Sequence, residues 1–225
     1  MVRVHYCPPF DSALWALLMA SYFNIDGILA QIFPRRLPSE RELLTCIDPI
    51  RLEGLALRRR GITSLDRLVA AASYREAGIR QMVHVFKYSR MREYSHDLVA
   101  CLLPCFRLLS HTPPPVLCPV PLHWMRLMFR GFNQAADLAA IIAKEKEWQV
   151  QALLRRIRSS PAQVGLSTIF RRQNVHGIFR CIGKSSPYVL LIDDVATTGA
   201  TLDACARVLK DAGVKRVEGL VVALG

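Results

Sequence analysis

Apolar positions along this chain fall into short continuous runs set between segments of helical periodicity. Val189, Leu190, Leu191 and Ile192 are uninterrupted, the pattern of a parallel strand buried on both faces. Val116-Leu117-Cys118-Pro119-Val120 reads as another short buried strand, and Val217 to Leu224 as the last one. Phe132 to Trp148 places Ala135, Leu138, Ala139, Ile141 and Ile142 on one helical face, and Leu202 to Ala212 predicts a helix stopped by Gly213. Val150 to Ile157 and Val175 to Ile182 predict strands flanking an exposed arm. Strands alternating with helices give an α/β class: a parallel sheet flanked by helices and joined by right-handed crossovers. In such sheets a ligand binds beyond the carboxyl ends of the strands.

The first half is less regular. Ile62 to Arg80 is helix-like around Leu65, Leu68 and Val69, and Gln81 to Tyr88 carries Met82, Val83, Val85 and Phe86. A helix is expected around Asp97 to Leu109, before the Pro113-Pro114-Pro115 linker. Ala13 to Phe23 is apolar but too short to span a bilayer, and no small-x-small cleavage site follows it. Its leucines and the isoleucines to Ile32 recur at helical spacing, which predicts a packed amphipathic helix and no transmembrane segment. Pro34, Pro38 and Pro49 punctuate an Arg-rich stretch that Arg58-Arg59-Arg60-Gly61 closes. The expected division is therefore an appendage over 1–60 and an α/β domain over 61–225.

Charge narrows the partners. Thirty Lys and Arg against eighteen Asp and Glu give the 225 residues a net charge of +12, which suits a polyanionic partner. Seven cysteines, with no C-x-x-C, form neither a disulfide framework nor a zinc motif. A reducing, cytoplasmic location is the expectation.

Chemistry concentrates after the Val189–Ile192 run. Asp193 and Asp194 come next, then Val195 and a loop of small and hydroxyl residues, Ala196-Thr197-Thr198-Gly199-Ala200-Thr201, leading into the predicted helix. A strand, a small-residue turn and a helix N-terminus make a phosphate cradle, because free backbone N–H groups and the helix dipole converge there. The Walker pattern is absent. The stretch resembles the phosphoribosyl-pyrophosphate (PRPP) signature of the type I phosphoribosyltransferases. That resemblance implies Val195 to Thr201 as the ligand loop, with Asp193 and Asp194 as the catalytic acids and Mg²⁺ arriving with PRPP. Adjacent strand residues face opposite ways, so the two acids are expected to have different roles, which the sequence leaves unassigned.

A second anion loop is expected after the Val116–Val120 strand, where Arg126 and Arg130 precede Asn133. The arginines suit pyrophosphate; Asn133 also suits a helix N-cap. PVPLHW (Pro119 to Trp124) and RGFNQ (Arg130 to Gln134) are preceded by FKY (Phe86 to Tyr88) and followed by RRQNVHGIF (Arg171 to Phe179). Together they resemble the ComF family of bacterial competence proteins, over about residues 62 to 225. That resemblance implies a part in handling single-stranded DNA during natural transformation, beside the DNA-uptake machinery. Typical ComF proteins begin with a zinc module built on C-x-x-C pairs. Here Cys7 and Cys46, even with His5, are too few for four ligands, so the module is degenerate or replaced.

No acid occurs between Glu147 and Asp193, whereas Arg155, Arg156, Arg158, Arg171, Arg172, Arg180 and Lys184 do. This arm suits either a nucleic-acid backbone or pyrophosphate. Phe170, Phe179 and Tyr188 are candidates for base stacking or for the core. Two functions follow: a DNA-uptake factor with a phosphoribosyl pocket, or an active Mg-dependent phosphoribosyltransferase of nucleotide metabolism or salvage.

Overall fold

The computed structural model describes residues 38–88, 94–109, 113–158, 177–183 and 186–225. The strands are β1 (Ile50–Glu53), β2 (Arg67–Ser73), β3 (Val116–Pro119), β4 (Leu154–Arg156), β5 (Phe179–Cys181), β6 (Tyr188–Ala196) and β7 (Arg216–Leu224). The helices are α1 (Glu40–Thr45), α2 (Leu55–Arg59), α3 (Ala77–Tyr88), α4 (Tyr94–Leu102), α5 (Trp124–Arg130), α6 (Gln134–Lys146) and α7 (Ala200–Asp211). A 3₁₀ turn over Leu103–Leu108 follows α4.

Five strands form one sheet in the order β1-β2-β7-β6-β3. β2, β7, β6 and β3 are parallel, and β1 joins the β2 edge antiparallel. Strand alternation divides the core into two layers. Leu190 and Ile192 pack with Phe86, Leu98, Leu138 and Ile142 of α3, α4 and α6. Val189 and Leu191 pack with Leu202, Cys205, Ala206 and Leu209 of α7. These α7 residues recur at the spacing of one helical face, which is why the helix lies flat on the sheet. β4 and β5 make a separate two-stranded ribbon beside the α7 layer, with Leu154 and Phe179 in that core.

The α/β expectation holds: the fold is a mainly parallel sheet flanked by helices, of the type I phosphoribosyltransferase kind. Two local expectations need correction. Leu68 and Val69 lie in strand β2, not in a helix, because LVAAA is buried on both faces between β1 and β7. The compact unit that carries the sheet runs from Pro38 to Gly225. Leu43 is buried in the core and Ile50–Glu53 supplies the sheet's edge. The helix expected over Asp97–Leu109 starts at Tyr94 and changes to 3₁₀ geometry at Leu103, where Pro104 lacks the N–H that an α-helical ladder needs. The 13–32 stretch and Cys7 lie outside the described residues. Among the described residues no helix is long and apolar enough to cross a membrane.

At the end of the sheet where the parallel strands begin, a buried polar network ties four strands together. The Tyr188 hydroxyl donates to fully buried Glu218 at 2.6 Å, and Arg216 donates to the same carboxylate at 2.7 Å. Arg67 stands 3.4 Å from Glu218 and 3.0 Å from Glu53. The sequence pattern did not single out Glu218. Removing Glu218 leaves the buried Tyr188 hydroxyl without its acceptor, while Arg216, 39% exposed, is open to water, so Glu218→Ala is expected to cost about 1–3 kcal/mol in urea denaturation. Glu53→Ala, at the exposed end, should cost far less.

Candidate functional site

β6 continues past its apolar run, so both acids lie within the strand and the loop begins at Thr197. Alternation gives the acids different surroundings. Asp194 faces the α3 side, where it is buried and its Oδ1 lies 3.3 Å from the Lys87 ammonium at the end of α3. Asp193 faces the α7 side and is half-buried. Burial, and then the charge of Asp194, push its carboxyl up to about 7, opposed by the Asp194 N–H (2.9 Å from Asp193 Oδ1), Lys87 and Arg130. Two carboxylates this close do not both ionise easily in a shielded strand end.

The loop is three residues long. Thr197 is exposed, Thr198 half-buried and Gly199 buried. Gly199 has φ 77°, a left-handed conformation, and caps α7 with no side-chain hydrogen bond. A Cβ at this position would overlap the Ile62 Cδ1 methyl. Glycine is thus demanded twice, by backbone and by space. The Thr198 hydroxyl accepts the Ala200 N–H at 3.3 Å, while Gly199 O accepts from Asp203 N at 2.9 Å. Together Asp193 and Val195 to Thr201 line a small cleft at the start of the helix. Ala200 and Thr201 lie in the first helical turn, whose N–H groups have no partner within the helix; that of Ala200 is taken by the Thr198 hydroxyl.

Two tethers fix the loop from outside. Arg60 donates to Thr197 O at 3.3 Å and to Gly225 O at 2.8 Å. Asp203, on the first turn of α7, accepts the Thr63 and Ser64 N–H groups at 2.8 and 2.6 Å. These tethers join residues about 140 positions apart in the chain, a relation that no local pattern reveals.

The other candidate residues separate into groups. Asn133 caps α6 by accepting from Ala135 N at 3.2 Å and donates to Val120 O at 3.1 Å. It therefore fixes the loop after β3. Half-buried Arg130 donates to Gln134 at 3.1 Å and its charge reaches Asp193. Exposed Arg126 sits in the electrostatic neighbourhood of Arg156 and His123. Burial, then Arg156 and Arg126, lower the His123 pKa; its Nδ1 accepts the Met125 N–H at 3.4 Å. Arg156 is half-buried on the inner side of the ribbon, 5.7 Å from the Phe179 ring, and its guanidinium is electrostatically coupled to Asp193. Arg155 and Arg158 are exposed. Arg171, Arg172 and Phe170 lie outside the described residues. Lys87, Arg130 and Arg156 thus bring positive charge toward Asp193 from three elements. Of these, Lys87 was visible in the sequence only as the middle of FKY.

The donors at the loop are backbone N–H and hydroxyl groups, with the Asp193 carboxyl beside them. Among the described residues no group of three or more His, Cys, Asp or Glu side chains could hold a metal ion. The buried thiols are unreactive: burial pushes Cys118 up to about 11 and Cys105 up to about 12.

The sheet, with an acid pair and a hydroxyl-rich loop at its carboxyl end, places the molecule in the type I phosphoribosyltransferase-like class of α/β folds. Over 164 residues the chain is 30% identical to Competence protein F of Haemophilus influenzae, covering 69% of this chain and 71% of that protein. It is also 30% identical over 160 residues to the DNA utilization protein YhgH of Escherichia coli K12, covering 68% of this chain and 70% of that one. YhgH of Salmonella typhimurium is 29% identical over the same length. No family model matches. The chain belongs to the ComF family.

Proposed function

We infer that this protein acts in the handling of DNA taken up by the cell and binds PRPP or a related ribose 5-phosphate ligand at the end of β6. The DNA role rests on the relatives' names, Competence protein F and DNA utilization protein YhgH. The ligand rests on one observation: a left-handed Gly199, wedged against Ile62, opens the α7 N-terminus beside Asp193. The 5-phosphate would take the N–H and hydroxyl donors of Thr197 to Thr201. Asp193 would accept the ribose hydroxyls, and Arg130 and Arg156 would face the pyrophosphate. Asp194 is already committed to Lys87, so its role is to fix the strand end. Mg²⁺ would arrive on the ligand's own oxygens; among the described residues no cluster of acids forms a cage for it. Zinc has no such cluster among the described residues either.

Titration calorimetry should show Mg·PRPP binding to the full chain. Thr198→Ala, which removes one hydroxyl and the turn's Thr198–Ala200 bond, should weaken it by about tenfold. Absence of binding to the unmutated protein would remove the ligand reading.

Catalysis is the second reading, favoured by the cationic groups converging on Asp193. Phosphoribosyl transfer by positioning and charge stabilisation needs little else from the protein. Pyrophosphate release from PRPP in the presence of nucleobases, measured against Asp193→Asn, tests it.

A further inference from the structure

The acid-free arginine stretch does not act as one surface, because the β4–β5 ribbon divides it between two faces. Leu154 pairs with Cys181 and Arg156 with Phe179 across the ribbon. Leu154 and Phe179 are only 4% and 5% exposed, and Arg156 sits among these inward positions. Arg155 pairs directly with Arg180, and both are exposed. The ladder bonds continue on either side of this pair, from Ile157 N to Ile178 O at 2.7 Å and from Ile182 N to Leu153 O at 2.9 Å. Arg155 and Arg180 therefore occupy a hydrogen-bonded pair site, whose Cα atoms lie about 5.5 Å apart. Two like charges directly opposite on one sheet face oppose strand pairing. No Asp or Glu between residues 148 and 192 is present to neutralise them. By alternation that face also carries Leu153 and Ile178, 2% and 3% exposed, and Ile157 and Ile182, 45% and 51% exposed, so it is apolar and closed at its ends and open around the two arginines.

We propose that Arg155 and Arg180 form a cross-strand phosphate clamp for a single-stranded nucleic acid, while Arg156, one residue away on the other face, serves the β6 pocket. The inference rests on the DNA-handling role stated above. A phosphodiester chain supplies the counter-charge that no Asp or Glu of residues 148–192 provides, and two guanidinium groups at one register position suit one phosphate or two adjacent ones. The flanking isoleucines offer apolar contact to sugars and base faces. The pocket ligand and the strand thus use opposite faces of a single ribbon, so the two binding functions separate by single substitutions.

The test is a double dissociation on the full chain. Fluorescence anisotropy with a labelled 20-mer of deoxythymidylate is compared with calorimetry using Mg²⁺ and inorganic pyrophosphate. The Arg155→Ala/Arg180→Ala variant should bind the oligonucleotide at least about tenfold more weakly at 0.1 M salt. The slope of log affinity against log salt should also become shallower by about 1.4, from two lost phosphate contacts on a single strand. Its pyrophosphate affinity and melting temperature should not fall. Arg156→Ala should do the converse, weakening pyrophosphate and sparing the oligonucleotide. If the unmutated chain binds no oligonucleotide, the DNA reading fails and the clamp with it. If it binds, but the double variant binds equally well with the same slope, the clamp alone is wrong. Vesicles of phosphatidylserine and phosphatidylcholine form the third arm. Variant-sensitive binding to vesicles, with oligonucleotide binding unaffected, would assign the face to a membrane and overturn the proposal.

Discussion

Gly199→Ala is expected to destabilise the protein by about 2–6 kcal/mol and to abolish binding of a phosphoribosyl ligand. The left-handed backbone costs a non-glycine residue about 1–3 kcal/mol, and the overlap of its Cβ with Ile62 adds about as much again. The loop relieves the overlap by retreating from Ile62, and its N–H groups then no longer converge. Ile62→Val relieves the closer of two contacts, because it removes the Cδ1 methyl that the new Cβ would overlap and leaves Cγ1 2.9 Å away. Alone it should cost about 0.5–1.5 kcal/mol. Combined with Gly199→Ala it should restore part of the stability, so the pair should be less than additive in urea melts. Strict additivity would show that the close approach to Ile62 does not hold the loop.

Asp193→Asn should stabilise the protein at pH 8 while removing ligand binding. The folded Asp193 carboxyl titrates near 7, raised by burial and by Asp194, whereas an unfolded aspartate titrates near about 3.9. Between those values the folded state holds the proton more tightly than the unfolded state. This group's contribution to stability therefore falls as pH rises from about 4 to about 7, and is flat above. Replacing it by Asn removes that fall, for a gain on the order of 2–4 kcal/mol at pH 8 and almost none at pH 4. Thermal melts of both proteins across this range check the slope. Ligand affinity should move oppositely: in the unmutated chain it should weaken as pH drops below about 7, because a protonated Asp193 accepts less well from a ribose hydroxyl. A site kept at a cost in stability is expected where function needs an ionised group.

The parts of the fold readable in the sequence are those where one short segment carries the whole signal. VLLI with its following acids and glycine, the helix face from Ala135 to Ile142, and Gly213 after α7 all depend on neighbours within a few residues. β2 was misread because Leu65, Leu68 and Val69 fit a helical face as well as a strand. Its small residues, Ala70 to Ala72, declare neither state; pairing with β7, about 150 residues away, decides it. The site divides along the same line. The loop and acids were legible as a local motif. The Lys87–Asp194 ion pair, the Arg60 and Asp203 tethers and the wedge of Ile62 against Gly199 are long-range, so no spacing reveals them. The placement of Arg156 apart from Arg155 needed only strand alternation, but it also needed the ribbon's register, which an apolar pattern as short as LLRRI does not specify.

The central claim is a pocket at the β6–α7 junction shaped for ribose 5-phosphate. A crystal structure of the full chain with ribose 5-phosphate tests it most directly. The phosphate should lie within hydrogen-bonding distance of the Thr198, Gly199 and Thr201 N–H groups, with the ribose hydroxyls toward Asp193. A phosphate bound elsewhere, with the Thr197–Thr201 loop left empty at saturating ligand, would contradict it.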